Sequence, residues 1–91
     1  MRIILQARAE DDLEKIYAWI AKDSPRNADE VIERIYKSME VLRLFPRSGR
    51  VGRLEETSEL KVPRLPYVLV YTVDEQAIAI RAVFHTARMR E

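Results

Sequence analysis

Tyr67-Val68-Leu69-Val70-Tyr71-Thr72-Val73 is followed, after three residues, by Ala77-Ile78-Ala79-Ile80-Arg81-Ala82-Val83-Phe84. Both segments are rich in β-branched and aromatic residues, which favour β-strands. The connection Asp74-Glu75-Gln76 is short and polar enough to join them as a β-hairpin. Because a lone hairpin is at best marginally stable in water, the rest of the chain must supply elements that cover and extend it.

Two amphipathic helices are predicted upstream of this hairpin. The first runs from about Arg8 to Lys22, where apolar side chains recur three and four positions apart. The second runs from Pro25 to about Leu44, and Ser24 is placed to cap its N-terminus. Since only two or three residues separate the helices, we expect them to form an antiparallel helical hairpin.

The remaining segments complete the predicted fold. Residues 2–6 and 58–62 are expected to be strands, and residues 45–56 are expected to be a loop. The order of elements is then βααβββ. The sequence therefore predicts a single α+β domain over residues 1–91, in which a small antiparallel sheet packs against a two-helix hairpin.

The composition excludes several kinds of site. The 91 residues include no cysteine and one histidine, so disulfides, thiolate metal sites and a histidine-rich zinc site are excluded. We expect no metal and no cofactor. No apolar run approaches the ~20 residues that a membrane span needs, so we expect no membrane partner and a cytoplasmic location.

Positive charge is concentrated in the second half of the chain. Residues 1–42 carry seven Lys/Arg and nine Asp/Glu, a balance of −2, whereas residues 43–91 carry nine and six, a balance of +3. Eight of those nine cations are arginines, whose planar guanidinium groups pair well with phosphate and carboxylate. This half predicts either an interface for an acidic macromolecule or simply a solvated basic surface.

The last predicted strand and its flanks carry the candidate chemical groups. Strict alternation places Ala79, Arg81, Val83 and His85 on one face, and Ile78, Ile80, Ala82 and Phe84 on the core face. Arg81 and His85 would then share a face about 13 Å apart. Arg64 would approach from the preceding turn, and Arg88 follows the strand.

Two interpretations of these groups remain open. A nuclease could use Arg64, Arg81, His85 and Arg88, with the arginines stabilising charge on the phosphoryl group and the histidine transferring protons. Alternatively, His85 bonds to the backbone at the strand end and Arg81 pairs with Glu59 on a neighbouring strand.

A set of short motifs, in order along nearly the whole chain, resembles a known family. The motifs are Ala9-x-x-Asp12-Leu13-x-x-Ile16, Phe45-Pro46-Arg47-Ser48-Gly49-Arg50, Thr57-x-Glu59-Leu60-x-Val62, Pro66-Tyr67-Val68-Leu69-Val70-Tyr71 and Ile80-x-x-Val83-x-His85-x-x-Arg88. Together they are similar to the ParE/RelE toxins of bacterial type II toxin–antitoxin systems.

The resemblance implies a protein partner. A toxin of this family is neutralised by a small cognate antitoxin whose flexible C-terminal region wraps around it, so we expect a hetero-oligomer. The helical hairpin carries several large aromatic residues, which make good binding anchors when exposed. The predicted antitoxin-binding residues are Leu13, Tyr17, Trp19, Ile20 and Tyr36.

The resemblance also implies a target, which divides the family. RelE-like members cut messenger RNA on the ribosome, whereas ParE-like members inhibit DNA gyrase by binding it. Ser58 stands where many members carry arginine, so any contact made by that cation is not carried over to this chain. Val68 stands where the cutting members carry a basic residue, Lys61 is the only lysine in the second half of the chain, and residues 88–91 include no Tyr or Phe, whereas the cutting members tend to carry several lysines and a C-terminal aromatic. We therefore expect a ParE-like, non-enzymatic toxin. The predicted target-binding residues are Arg50, Arg64, Arg81, His85 and Arg88. The alternatives are a RelE-like, ribosome-dependent mRNA endonuclease, or a detoxified binding module that acts with its antitoxin.

Overall fold

The computed structural model describes residues 1–87 of the chain. Its elements are β1 (Arg2–Leu5), α1 (Ala7–Ala21), α2 (Pro25–Leu44), β2 (Arg50–Val51), β3 (Ser58–Lys61), β4 (Tyr67–Val73) and β5 (Ala77–His85). The predicted α+β class, with two consecutive helices and a closing β-hairpin, is confirmed. Arg88 lies outside the described residues.

The five strands form one mixed sheet in the order β1-β5-β4-β3-β2. Strands β3, β4 and β5 pair antiparallel, as predicted, and the additional strand β2 pairs antiparallel with β3. The prediction of an all-antiparallel sheet is wrong for β1, which pairs parallel with β5. The two helices separate β1 in sequence from the rest of the sheet, and a long helical connection of this kind is what parallel pairing requires. Strand β2 lies within the predicted loop, because two residues are too few to give a periodic sequence signal.

The helix ends follow the predicted chemistry. The Ser24 side chain accepts a hydrogen bond from the Asn27 backbone N–H at 3.2 Å, and Pro25 occupies the first turn of α2. Helix α2 stops at Leu44, before Pro46. A proline disfavours helical geometry in the residue before it, which here is Phe45.

The core lies between the helices and one face of β4 and β5. From the helices it includes Ala9, Leu13, Ile35, Met39 and Leu42, and from the hairpin Tyr67, Leu69, Tyr71, Ile78, Ile80 and Val83. Together these side chains hold the helical hairpin against the centre of the sheet, which leaves the loop before β3 to be fixed by other contacts.

Tyr71 fixes that loop from inside the core. Its buried hydroxyl accepts a hydrogen bond from the Gly49 N–H at 3.0 Å and donates one to the Pro46 carbonyl oxygen at 3.2 Å. A Cβ atom at position 49 would collide with this hydroxyl and would lie 2.7 Å from the Glu59 carbonyl oxygen. These hydrogen bonds hold the Pro46–Gly49 turn against β4. Strand β2 begins at the next residue, Arg50, so its position depends on this turn.

A β-bulge interrupts the β4–β5 pairing. Val70 pairs with Ala82, but its neighbour Tyr71 pairs with Ile80, so Arg81 is an extra residue without a partner on β4. One inserted residue reverses which side chains face the core beyond it. Val83 accordingly joins Ile78 and Ile80 in the core, and the predicted alternation across residues 79–85 is wrong after Ile80.

Candidate functional site

The bulge separates the two groups that strict alternation placed together. Arg81 is exposed at the bulge, whereas His85 is half-buried and pairs with Tyr67 of β4. His85 also lines a cleft with Asp12, Ile16 and Trp19 of α1. The prediction that Arg81 and His85 share one face of the sheet is therefore wrong, because the extra residue turns His85 towards the helices.

A carboxylate from α1 accepts a hydrogen bond from β5 where that strand extends beyond β1. Strand β1 pairs with β5 as far as Ile80, and beyond that point the Val83 N–H donates to Asp12 Oδ2 at 2.9 Å. The Arg8 guanidinium lies over the Phe84 ring, 4.7 Å from its centroid, with Arg8 Nε 3.7 Å from Asp12 Oδ2. This contact docks the first half of α1 on the end of β5.

His85 is engaged in local contacts. Its Nδ1 accepts a hydrogen bond from the Ala87 N–H at 3.1 Å, and its ring meets the Tyr67 ring edge-on with centroids 5.4 Å apart. A ring nitrogen that accepts a hydrogen bond carries no proton, so the neutral ring is protonated on Nε2. The structural interpretation of His85, a backbone contact at the strand end, is the one that the geometry shows. The proposed Arg81–Glu59 ion pair is not present, because β4 lies between the strands that carry these two residues. The Glu59 carboxylate accepts a hydrogen bond from the Arg53 N–H at 3.0 Å.

Three cations surround a cleft beside Val68. Arg50, Arg53 and Lys61 line it, and the Lys61 ammonium donates to the Leu65 carbonyl oxygen at 3.0 Å. Val68 itself is 5% exposed and pairs with Phe84 and Lys61 on the neighbouring strands. Of the predicted target-binding residues, this cleft contains Arg50.

Arg64 belongs to a different part of the surface. It lines a cleft with Arg34 and Lys37 of α2, whereas His85 lines the cleft beside α1. Arg50, Arg64 and His85 therefore line three different clefts, Arg81 is exposed at the bulge, and Arg88 is outside the described residues. A joint catalytic role of Arg64, Arg81, His85 and Arg88 stays a prediction.

The helical hairpin exposes the large aromatic residues that the sequence singled out. Trp19 is 70% exposed, and Tyr17 and Tyr36 are also exposed. Ile20 is half-buried. Leu13, by contrast, is buried in the core at 6% exposure, although it also lines a cleft with Tyr17 and Tyr36. Its role in antitoxin binding stays a prediction.

Tyr17 also connects the two helices. Its hydroxyl donates a hydrogen bond to Asp29 of α2, and this bond, together with the negative charge of Asp29, raises the pKa of Tyr17 above its usual value. Lys22 lies over the Trp19 ring, 5.4 Å from the centroid. Tyr17 and Trp19 thus contact Asp29 and Lys22, respectively, while both aromatic side chains remain exposed to a partner.

Potential metal ligands and apolar helices are the remaining features to consider in residues 1–87. No group of three His, Cys, Asp or Glu side chains within that range could hold a metal ion. None of the helices within it combines the length and the apolar character needed to cross a bilayer.

Comparison with known proteins decides the family. The profile described as "ParE toxin of type II toxin-antitoxin system, parDE" matches residues 3–90. The chain belongs to the ParE toxin family. It is therefore a toxin of the type II toxin–antitoxin class, as its motifs indicated.

Relatives of this ParE-family chain agree in sequence and in fold. It is 37% identical over 84 residues to the protein named "Putative toxin Y4kP" from Sinorhizobium fredii, a match that covers 92% of this chain and 86% of that protein. A solved structure titled "Chromosomal ParDE TA system from P. aeruginosa" superposes with a TM-score of 0.83 at 20% identity, covering 93% and 95% of the two chains. The YoeB dimer from Staphylococcus aureus superposes with a TM-score of 0.60 at 16% identity, covering 90% and 92%.

Several cations that line these clefts were not predicted from the sequence. Arg53 and Lys61 join Arg50 in one cleft, and Arg34 and Lys37 join Arg64 in another. Lys61 could have been predicted from the sequence, because it lies two residues after Glu59 on β3 and therefore on the same face of the strand. No local pattern indicated Arg34 or Lys37, because only the packing of α2 against the β3–β4 turn brings them to Arg64.

Proposed function

We propose that this ParE-family toxin arrests growth in the cytoplasm by binding DNA gyrase, and that it does not cut RNA. The observation that carries the proposal is the burial of Val68. RelE-like members carry a basic residue at this position, which serves their cleavage chemistry. A buried valine can neither transfer a proton nor stabilise charge on a phosphate.

The arrangement of the cations supports binding over cleavage. Phosphodiester cleavage needs its acid, base and charge-stabilising groups within hydrogen-bond reach of one reacting centre. Arg64, Arg81 and His85 are spread over three environments. Macromolecular binding has no such requirement, because separate cations can each contribute to one extended interface.

The basic cleft of Arg50, Arg53 and Lys61 is the proposed centre of target contact. Its three cations are partly offset by Glu59, whose carboxylate is buried and holds the Arg53 backbone. The side chains of Arg50 and Arg53 remain exposed for an acidic surface of the enzyme or for the DNA that it holds. Arg81 and His85 would make separate contacts with the target, as would Arg88.

The helical hairpin is proposed to bind the cognate antitoxin. Trp19, Tyr17 and Tyr36 are exposed aromatic anchors, and Ile20 lies beside them half-buried. The solved ParDE system that this chain resembles in fold is a toxin–antitoxin system by its title. The antitoxin would cover the hairpin and leave a hetero-oligomer that is not toxic.

A pair of assays tests the target. Purified toxin should inhibit gyrase supercoiling of a relaxed plasmid, and it should leave messenger RNA intact in a translating extract. The double charge reversal Arg50→Glu with Arg53→Glu should weaken inhibition about tenfold or more, because opposite charge becomes like charge at the interface. Arg26→Glu is the matched control, since Arg26 is exposed in the first turn of α2 and should leave inhibition unchanged.

Other results would favour the alternatives. Growth arrest with cleavage inside translated codons, lost in His85→Ala and Arg81→Ala, would replace the gyrase proposal with a RelE-like endonuclease. A chain that binds its antitoxin but neither arrests growth nor inhibits gyrase would be a detoxified binding module.

A further inference from the structure

One stripe of α2 meets the β3–β4 turn in a small basic cleft. Arg34, Lys37, Ser38 and Val41 follow the spacing i, i+3, i+4, i+7 and so share one face of the helix. Pro63 and Arg64 from the turn close the other side. Ser38 and Val62 are buried at the base, whereas Val41 is 45% exposed.

The positive charge of this cleft is not neutralised within the described chain. Arg34, Lys37 and Arg64 line it, and no carboxylate among residues 1–87 does. Lys37 pairs with Glu33 at 3.5 Å, but both side chains are exposed and such pairs contribute little. None of the ion pairs within that range includes Arg34 or Arg64.

Arg64 holds an unfavourable backbone conformation. Its φ of 65° lies in the left-handed region, which costs a residue with a Cβ atom about 1 kcal/mol or more. The Leu65 N–H donates to the Val62 carbonyl oxygen at 3.3 Å, so Arg64 is the third residue of a β-turn, where positive φ favours glycine. The exposed side chain makes no ion pair in the described chain that would offset this cost. Local strain of this kind is concentrated at functional sites.

The volume of the cleft and the residues that line it favour one class of ligand. Its volume of about 250 Å³ is below the ~300–1,000 Å³ of typical small-molecule sites, so it suits side chains of a docked peptide. Guanidinium groups recognise carboxylates by paired hydrogen bonds. Val41 and Pro63 offer an apolar wall that a bare phosphate backbone would not use.

We propose that this cleft binds an acidic segment of a partner protein, with carboxylates on Arg34, Lys37 and Arg64 and an adjacent aliphatic side chain on Val41 and Pro63. The cleft is distinct from the aromatic residues of the hairpin and from the cleft of Arg50, Arg53 and Lys61.

A peptide titration of the full chain tests the proposal without reference to gyrase. The probe is a fluorescein-labelled pentapeptide of alternating leucine and glutamate with blocked ends, followed by fluorescence anisotropy. Its glutamine counterpart is the matched ligand control. The glutamate peptide should bind, the glutamine peptide should bind at least about tenfold more weakly, and added salt should weaken binding.

Arg64→Gly separates binding from folding. Glycine adopts positive φ without strain, so this variant should melt at the same temperature or higher while its affinity for the glutamate peptide falls about tenfold or more. Arg26→Ala removes one exposed positive charge outside the cleft and should change neither property. The double variant Arg34→Gln with Lys37→Gln keeps good helix-forming residues in α2 and should lose binding in the same way.

Several outcomes would overturn the proposal. These are equal binding of the glutamate and glutamine peptides, or unchanged affinity in both the Arg64→Gly and the Arg34→Gln, Lys37→Gln proteins. A duplex oligonucleotide that binds through these three cations while the peptide does not would assign the cleft to nucleic acid instead.

Discussion

Asp12 of α1 accepts a hydrogen bond from the backbone N–H of Val83 in β5 at 2.9 Å, across 71 positions of sequence. Strand β1 ends before this point, so the carboxylate takes the place of a strand partner at the edge of β5. The contact also seats α1 so that Trp19 and His85 line the same cleft. Asp12 thus joins the helical layer to the sheet.

We predict that Asp12→Ala lowers the free energy of unfolding by about 1–3 kcal/mol, because the Val83 N–H loses a charged acceptor at a largely buried position. Urea denaturation measures this change, and hydrogen exchange at Val83 should become faster. Asp11→Ala is the control. It removes an exposed ion pair with Lys15 and should change stability by no more than about 0.5 kcal/mol. Equal effects of the two substitutions would contradict the assigned role of Asp12.

Tyr71→Phe should release the loop that precedes β2. The variant keeps the buried ring but loses the hydroxyl that bonds to Gly49 and Pro46, at a cost of about 1–3 kcal/mol in the free energy of unfolding. Exchange of the Gly49 amide should accelerate, and inhibition of the target should weaken because Arg50 follows this loop. Tyr36→Phe alters an exposed tyrosine and serves as the control for stability. If the hydrogen-exchange rate of the Gly49 amide were the same in Tyr71→Phe, the Tyr71 hydroxyl would not be holding this loop.

Glu56→Gly should stabilise the protein. Glu56 is exposed with a φ of 63°, a left-handed conformation that glycine adopts without strain. We expect a gain of about 0.5–1 kcal/mol in the free energy of unfolding, since relief of strain outweighs the greater flexibility of glycine in the unfolded chain. Glu55→Gly, at the preceding position, should give no gain. Thermal or urea denaturation that ranks the two variants in the opposite order would count against this assignment.

Asp74 should make the β4–β5 turn sensitive to acid. Its Oδ1 atom accepts hydrogen bonds from the Gln76 and Ala77 N–H groups, each at 2.8 Å, and these bonds lower the pKa of Asp74 below its usual value. A carboxyl with a lowered folded-state pKa stabilises the protein above its unfolded-state pKa of about 3.9, and the contribution is lost as pH falls through the folded value.

NMR titration of the Asp74 carboxyl tests this pH dependence. The midpoint should lie below that of an unstructured aspartate. In Asp74→Asn, the part of the loss of stability at low pH that comes from Asp74 should be absent. Glu75→Gln, at the neighbouring position, is the control. A midpoint at or above the ordinary value would show that the turn bonds are absent in solution.

Trp19→Ala and Leu13→Ala should separate antitoxin binding from folding. Trp19 is exposed, so its loss should weaken binding of the cognate antitoxin by about 2 kcal/mol while leaving the fold intact. Leu13 is buried, so its loss should lower the free energy of unfolding by about 2–5 kcal/mol. Calorimetric titration and denaturation of both variants measure the two effects. Unchanged antitoxin affinity in Trp19→Ala would place the interface away from the hairpin.

Local sequence patterns were sufficient to predict the helices and the closing hairpin. Helical periodicity located α1 and α2, the Ser24-Pro25 pair set the start of α2, and the β-rich segments around Asp74 set the closing hairpin. Each of these depends on side chains within a few positions of one another.

Which candidate residues come together could not be predicted from local patterns and depends on how the strands and helices pack. The bulge at Arg81 arises from the pairing of β5 with β4, and a single inserted residue moved His85 from the predicted face to the helix side. Arg64 joined Arg34 and Lys37 because α2 packs beside the β3–β4 turn. The face of the sheet that a side chain occupies, and the residues that lie near it, depend on the register between segments distant in sequence. A shift of one residue changes that register, and no local sequence pattern predicts it.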